Sequence, residues 1–236
     1  MAFFQDNRPS RQPLLNAPPA VLGLIGVLLA THAIRVALPG SLPDDIVENY
    51  AFIPVRYAEA FVHGFAISDI PGLLVPFISY MFLHGDFTHV GLNCLWLLVV
   101  GPAVARRLGA RRFFLFFLIC GIFAALFHLG VYWGSMMAVV GASGGVSGLM
   151  GAGMRILYGH IMGRPSGLAP ILSKPLLLFS LVWLIANVVT GVLRIGVTDQ
   201  LTLIAWVAHL GGYFAGLTMI AMFPSAAEER PRIGTV

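Results

Sequence analysis

Charge is scarce in this sequence. Asp, Glu, Lys and Arg together make up 10% of its 236 residues, and Lys174 is the single lysine. Soluble domains carry roughly 25% charged residues. Hydrophobic residues reach 58% and the mean hydropathy is +0.88, which leaves too little polar surface to face water. A water-soluble domain is excluded, and lipid is the solvent for most of the chain. Cysteine is nearly absent. Cys94 and Cys120 both lie within apolar runs, where free thiols pack as small hydrophobes. No Cys/His spacing fits zinc and there is no HExxH, so neither a metal site nor another cofactor is expected. The net charge is +4, but the arginines fall in short clusters between apolar runs. That is the pattern of membrane loops rather than of a nucleic-acid-binding face.

Long apolar runs are what the sequence does have. A spanning helix needs roughly 20 mostly apolar residues. Six segments qualify: residues 20–38, 87–105, 113–132, 139–157, 175–193 and 201–223. The first has no clean small-x-small cleavage site after it and reads as a retained helix rather than a signal peptide. A further apolar stretch, residues 71–83, is too short to span and begins Pro-Gly, so it reads as re-entrant or interfacial. The connection 39–86 mixes acids with aromatics, a composition that suits the membrane interface. The expected architecture is all-α: one membrane domain over 1–236, a core of about 18–223, and short tails 1–17 and 224–236.

Orientation follows from the basic residues. With the N-terminus cytoplasmic, the inside holds Arg8, Arg11, Arg106, Arg107, Arg111, Arg112, Arg155, Arg164, Lys174, Arg230 and Arg232. The outside holds Arg35, Arg56 and Arg194. The split of 11 against 3 predicts both termini inside.

Polar residues within apolar runs are functional candidates. Here they are His32, Asn93, His128, Ser143, Ser147, Asn187 and His209, with His89 at an entrance. Ser143 lies near the outer start of the fourth helix. His209 is eight residues beyond Leu201, about 12 Å below the outer end of the sixth. His89 and Asn93 are four apart and share a face in the first turns of the second helix. Four polar side chains on three helices therefore converge on the outer half of the membrane. The residues around Ser143 and His209 are small, with Gly144/Gly148 and Gly212/Gly216 at four-residue spacing. Such spacing lets helix backbones approach closely. A short serine side chain needs that approach to reach a histidine on another helix.

Gly141-Ala142-Ser143-Gly144 resembles the GxSG nucleophile motif of rhomboid intramembrane proteases. Ala208-His209 followed by Gly212 and Gly216 is similar to the family's AHxxGxxxG, and His84 to Asn93 resembles its HxxxxHxxxN. The three motifs occur in the family's order on the helices it would assign, across roughly residues 75–223. The resemblance implies a six-helix bundle with a long, partly membrane-embedded loop between the first two helices. It implies a serine endopeptidase that cleaves transmembrane segments of other membrane proteins. Ser143 would be the nucleophile and His209 the general base. His89, Asn93 and the Ser143 amide would receive the oxyanion. His84, Gly141, Gly144, Gly212 and Gly216 would support the site, with His84 fixing the loop before the second helix.

Carboxylates near the site are missing as well. Asp86 and Asp199 are the nearest in sequence and both look interfacial, so a Ser–His dyad is expected rather than a triad. His32 and His128 match no motif and are expected to be structural, while His63 and His160 fall in loops. Family analogy puts a mobile gate at the fifth helix, but Trp183 lies too near the inner half to be chosen for it. Two departures from the family pattern stand out. Ser147 replaces the tyrosine that many relatives stack on the histidine, and Ala105 occupies a common glutamate position. Two other functions compete. A catalytically inactive relative acting as membrane chaperone or adaptor would usually lack Ser143 or His209. A transporter built on Gly-rich broken helices would show inverted repeats, and none are evident. The plain layout favours a prokaryotic plasma membrane, with the active site opening to the outer face.

Overall fold

A computed structural model describes residues 17–193 and 206–226. Among them the chain is helical, apart from one isolated antiparallel bridge between Phe52 and Val139. Proline opens many of the helices in the first turn, where its missing N–H costs nothing. It does so in α1 (Pro19–Ala37), α2 (Leu42–Tyr50), α3 (Pro54–His63) and the short α4 (Ile70–Leu74) and α5 (Pro76–Ser79). α6 (Phe87–Leu108) starts differently: the Asp86 carboxylate caps it by accepting from the His89 N–H at 2.7 Å. It ends at Gly109, whose φ of +75° turns the chain straight into α7 (Ala110–Val131). α8 (Ser143–Ile161), α9 (Lys174–Val192) and α10 (Trp206–Met219) complete the bundle.

α1, α6, α7 and α9 are each long and apolar enough to cross a membrane. α8 is the central helix. Its run from Gly144 to Gly153 is buried throughout, and its glycines and serines keep its hydropathy low because its neighbours are helices, not lipid. α8 begins at Ser143, four residues later than the apolar run suggests; residue 139 is held in the bridge to Phe52. The expected sixth span is seen from Trp206. Its first residues, 201–205, lie outside the described residues, as do Arg194, Asp199 and most of both tails.

The seam between α8 and α10 brings backbone against backbone. A Cβ added to Gly212 would fall on the Gly144 carbonyl oxygen, and one added to Gly216 on that of Gly148. α9 is the opposite case: Leu176 and Gly191 are its buried residues, Phe179 and Trp183 pack partly against the core, and leucines and valines such as Leu178, Val182 and Val192 face outward. The stretch 71–83 does not span. It forms two short helices and a 3-10 turn that buries Tyr80 and Met81 completely.

At the end of the bundle away from Ser143, Arg107, Arg155 and Arg164 line a cavity of about 600 Å³. Arg155 falls inside the apolar run 139–157, and the structure keeps it helical. It lies within α8, with Nε donating to the Ala169 carbonyl and Nη1 to that of Leu217, both at 2.9 Å. His63 and His160 are helical too. His63 ends α3, and His160 lies in the last turn of α8 with Nδ1 2.9 Å from the Ile156 carbonyl.

Candidate active site

Ser143 is the first residue of α8, so its N–H belongs to the first turn and has no carbonyl within the helix to receive it. The loop before it is held from three sides. Gly141 donates its N–H to the Tyr80 carbonyl at 2.9 Å. Tyr80, fully buried, donates its hydroxyl to the Gly121 carbonyl at 2.8 Å on α7. Ala142 donates its N–H to His84 Nε2 at 3.3 Å, and the His84 carbonyl accepts from Arg35 Nη2 at 2.8 Å. A chain of contacts thus runs from α1 through His84 to the residue before the serine. His84 therefore secures the serine loop as well as the loop it sits in. It lies outside the spanning helices, and burial, with the adjacent His89 and His32, pushes its imidazole down to about 3. It stays neutral and keeps Nε2 available as an acceptor.

Across the α8–α10 seam, Ser143 Oγ lies 2.8 Å from His209 Nε2. The two residues are far apart in sequence, and the glycine contacts below them bring the backbones close enough. His209 Nδ1 lies 2.9 Å from Asn187 Oδ1 on α9. The Asn187 amide is itself fixed, since its Nδ2 donates to the Trp183 carbonyl at 2.9 Å, one turn back. That bond turns Oδ1 toward the histidine. Nδ1 then carries the proton and Nε2 has a lone pair facing the serine hydroxyl.

His89 faces the same space. Gly141 has φ +118°, and a Cβ built on it would lie 2.7 Å from His89 Nε2 and 3.8 Å from Ser143 Oγ. Any side chain there would both strain the backbone and fill the gap between imidazole and hydroxyl. His89 Nδ1 accepts a long bond, 3.5 Å, from the Gly85 N–H, which leaves Nε2 as the donor nitrogen. Asn93 is one turn further along and buried, with Nδ2 donating back to the His89 carbonyl at 3.0 Å. Gly144 packs its Cα against Ala124 of α7 and the Tyr80 hydroxyl.

Other polar residues are placed elsewhere. His32 is buried edge-on against Phe87, with ring centroids 4.6 Å apart, and His128 tilts on Tyr132. Cys94 and Cys120 are free and buried, and Ala105 is in the core. Asp86 is used as the cap of α6. Among the described residues no group of His, Cys, Asp and Glu could hold a metal ion. Sequence reasoning named Asn187 as a polar candidate without placing it beside His209, and did not foresee Tyr80 or Arg35 at the site. For Asn187 a signal existed: counted up from Lys174, it reaches the same outer half of the membrane as His209. Arg35 carried one too, as a charge inside the apolar run 20–38; Tyr80 had none, because its contacts are to backbone groups.

A family model described as Rhomboid domain matches residues 71–226. The chain is 29% identical over 153 residues to "Rhomboid protease AarA" of Providencia stuartii, covering 58% of this chain and 51% of that protein. It is 29% identical over 163 residues to "Rhomboid protein 1, mitochondrial" of Saccharomyces cerevisiae, covering 67% and 44%. It is 29% identical over 144 residues to "Rhomboid protease GlpG" of Serratia proteamaculans, covering 60% and 45%. The chain spans about half the length of the curated relatives it matches.

Proposed function

The chain belongs to the rhomboid family, an integral-membrane fold whose members are generally serine proteases, and from that premise we propose that it is a serine endopeptidase cutting transmembrane segments by a Ser143–His209 dyad. The 2.8 Å contact between Ser143 Oγ and His209 Nε2 carries this reading. A serine hydroxyl is a weak nucleophile until a base takes its proton. Ser143 Oγ attacks the scissile carbonyl carbon as its proton passes to His209 Nε2. The tetrahedral oxyanion is received by the Ser143 amide, His89 Nε2–H and the second Nδ2 hydrogen of Asn93. Collapse expels the leaving amine, which takes the proton from His209, and leaves an acyl-enzyme. Water, deprotonated by the same nitrogen, then releases the acid and regenerates the hydroxyl.

In this reading the active site opens to the outer face, with both termini cytoplasmic. The arginines at the other end of the bundle support that orientation. The substrates are single transmembrane segments with small residues near the cut, and the setting is a prokaryotic plasma membrane.

Purified protein in detergent, given a model single-span substrate, tests the reading. Cleavage is expected from the wild type and its loss, by at least about 10³-fold, from Ser143→Ala and from His209→Ala. A fluorophosphonate probe should label the wild type and not Ser143→Ala. Cleavage that survives either substitution overturns the dyad. A wild type that neither cleaves nor labels points to an inactive chaperone or adaptor instead.

A further inference from the structure

Ser143 and His209 leave one chemical question open: what holds the imidazole in the right tautomer and direction. A neutral histidine has one donor and one acceptor nitrogen, and only the acceptor can serve as base. The ring must also point at the serine, since a base loses effect when it swings out of hydrogen-bond reach. Ser147, one turn below Ser143, has no ring to stack on the imidazole.

We propose that Asn187 on α9 is the positioning residue for His209, and that the site is complete only while α9 is docked on α10. Its Oδ1 lies 2.9 Å from His209 Nδ1, on the side of the ring away from Ser143. The Trp183 carbonyl holds Nδ2, so the amide cannot turn its donor to the histidine without setting oxygen against oxygen. Asn187 is also part of a continuous stripe. Along one face of α9, Ser180 Oγ lies 2.7 Å from the Tyr213 hydroxyl, and Trp183 stacks on the Tyr213 ring at 4.2 Å and 17°. One turn on, Asn187 meets His209, and at the far end Gly191 packs against the Trp206 ring. These contacts hold a helix that otherwise buries little, and one of them is the bond to the base. Moving α9 away from α10 removes the acceptor from His209 Nδ1 and leaves tautomer and ring angle undetermined.

The inference rests on His209 being the general base, so the experiment judges the two separately. Wild type, Ser143→Ala, Asn187→Leu and Asn187→Asp are compared in detergent for kcat, KM and phosphonate labelling rate. The tautomer of His209 is read by NMR on histidine-labelled protein. Asn187→Leu, similar in size, should lower kcat and labelling about 10- to 100-fold, with KM within about twofold. It should also lose the Nδ1–H signature expected of the wild type. Asn187→Asp keeps an oxygen at the same reach and should recover part of the lost kcat. Should the leucine variant fail to assemble, Asn187→Ser, too short to span the gap, replaces it with the same expectations. An Asn187→Leu enzyme with wild-type kcat and an unchanged tautomer overturns the positioning role, while Ser143→Ala stays inactive. An Asn187→Asp enzyme no better than Asn187→Leu overturns the hydrogen bond as its cause. Activity in Ser143→Ala sinks the dyad, and the tautomer measurement still decides whether Asn187 holds His209.

Discussion

At the scale of single residues, the site depends on groups that never touch a substrate. His84 accepts from the amide next to Ser143 and is itself held by Arg35. Its imidazole is held well below the 6.5 of a free histidine, at about 3. A folded state that refuses a proton which the unfolded chain takes loses stability as pH falls. The neutral form contributes fully above about pH 6.5, and the contribution is lost progressively between that and pH 3. The largest slope for one such group is about 1.4 kcal/mol per pH unit. Replacing His84 with Gln keeps an acceptor and removes the titration. Melting in detergent from pH 7 to pH 4 should show a smaller fall for His84→Gln than for the wild type. Equal falls would show that His84 does not set the acid sensitivity. Arg35→Leu should cost about 1.5–3 kcal/mol, because it removes a charged, buried donor from the His84 carbonyl. It should also slow phosphonate labelling of Ser143, as the serine loop loses its anchor.

At the scale of elements, the α8–α10 seam sets the distance between Ser143 and His209. Gly212 and Gly216 lie against backbone carbonyls of α8, which cannot rotate out of the way as a side chain can. Gly212→Ala and Gly216→Ala should each cost at least about 1–3 kcal/mol from overpacking and push Ser143 and His209 apart. The measurable results are a lower melting temperature and a loss of cleavage larger than the loss of folded protein. Gly91→Ala on α6 is the control, since its Cβ would meet nothing within 4 Å. It should be neutral or slightly stabilising, by about 0.5–1 kcal/mol. The motif spacing in the sequence already marked this seam, because small residues four apart on two helices can only serve close approach. The α9–α10 contact was not marked in that way. Its stripe of Ser180, Trp183, Asn187 and Gly191 has no uniform chemistry, and each member makes sense only opposite its own partner.

For the whole molecule, the question is how it sits in the membrane. The basic residues divide 11 to 3 for cytoplasmic termini. In the structure Arg107, Arg155 and Arg164 come together at the end opposite Ser143. Two sites report the orientation. Met136, exposed in the turn after α7, and Pro165, exposed after α8, can each be replaced by cysteine. The native Cys94 and Cys120 are buried and should stay silent. In intact cells or sealed right-side-out vesicles, an impermeant maleimide should label Met136→Cys and leave Pro165→Cys untouched until the membrane is opened. The reverse pattern would invert the proposed topology and put the active site on the cytoplasmic side.

The sequence alone determined that the chain lives in lipid and where its long apolar helices fall, but not the short helices of the 39–86 connection. It also indicated the depth of each polar residue and that Ser143 and His209 should meet. Those properties are carried along the chain, as hydropathy summed over a turn, charge counted by loop, and glycine spaced by four. Tertiary structure alone decided which way each helix is rotated about its axis and which helix lies beside it, because those choices come from packing between segments remote in sequence. That is why α8, glycine-rich and low in hydropathy, could prove to be the central helix that carries the serine. It is also why His63 and His160 are helical where loops were expected. Asn187 could be recognised as a polar residue at the right depth, but its place behind His209 required α9 to dock on α10 with that one face turned inward.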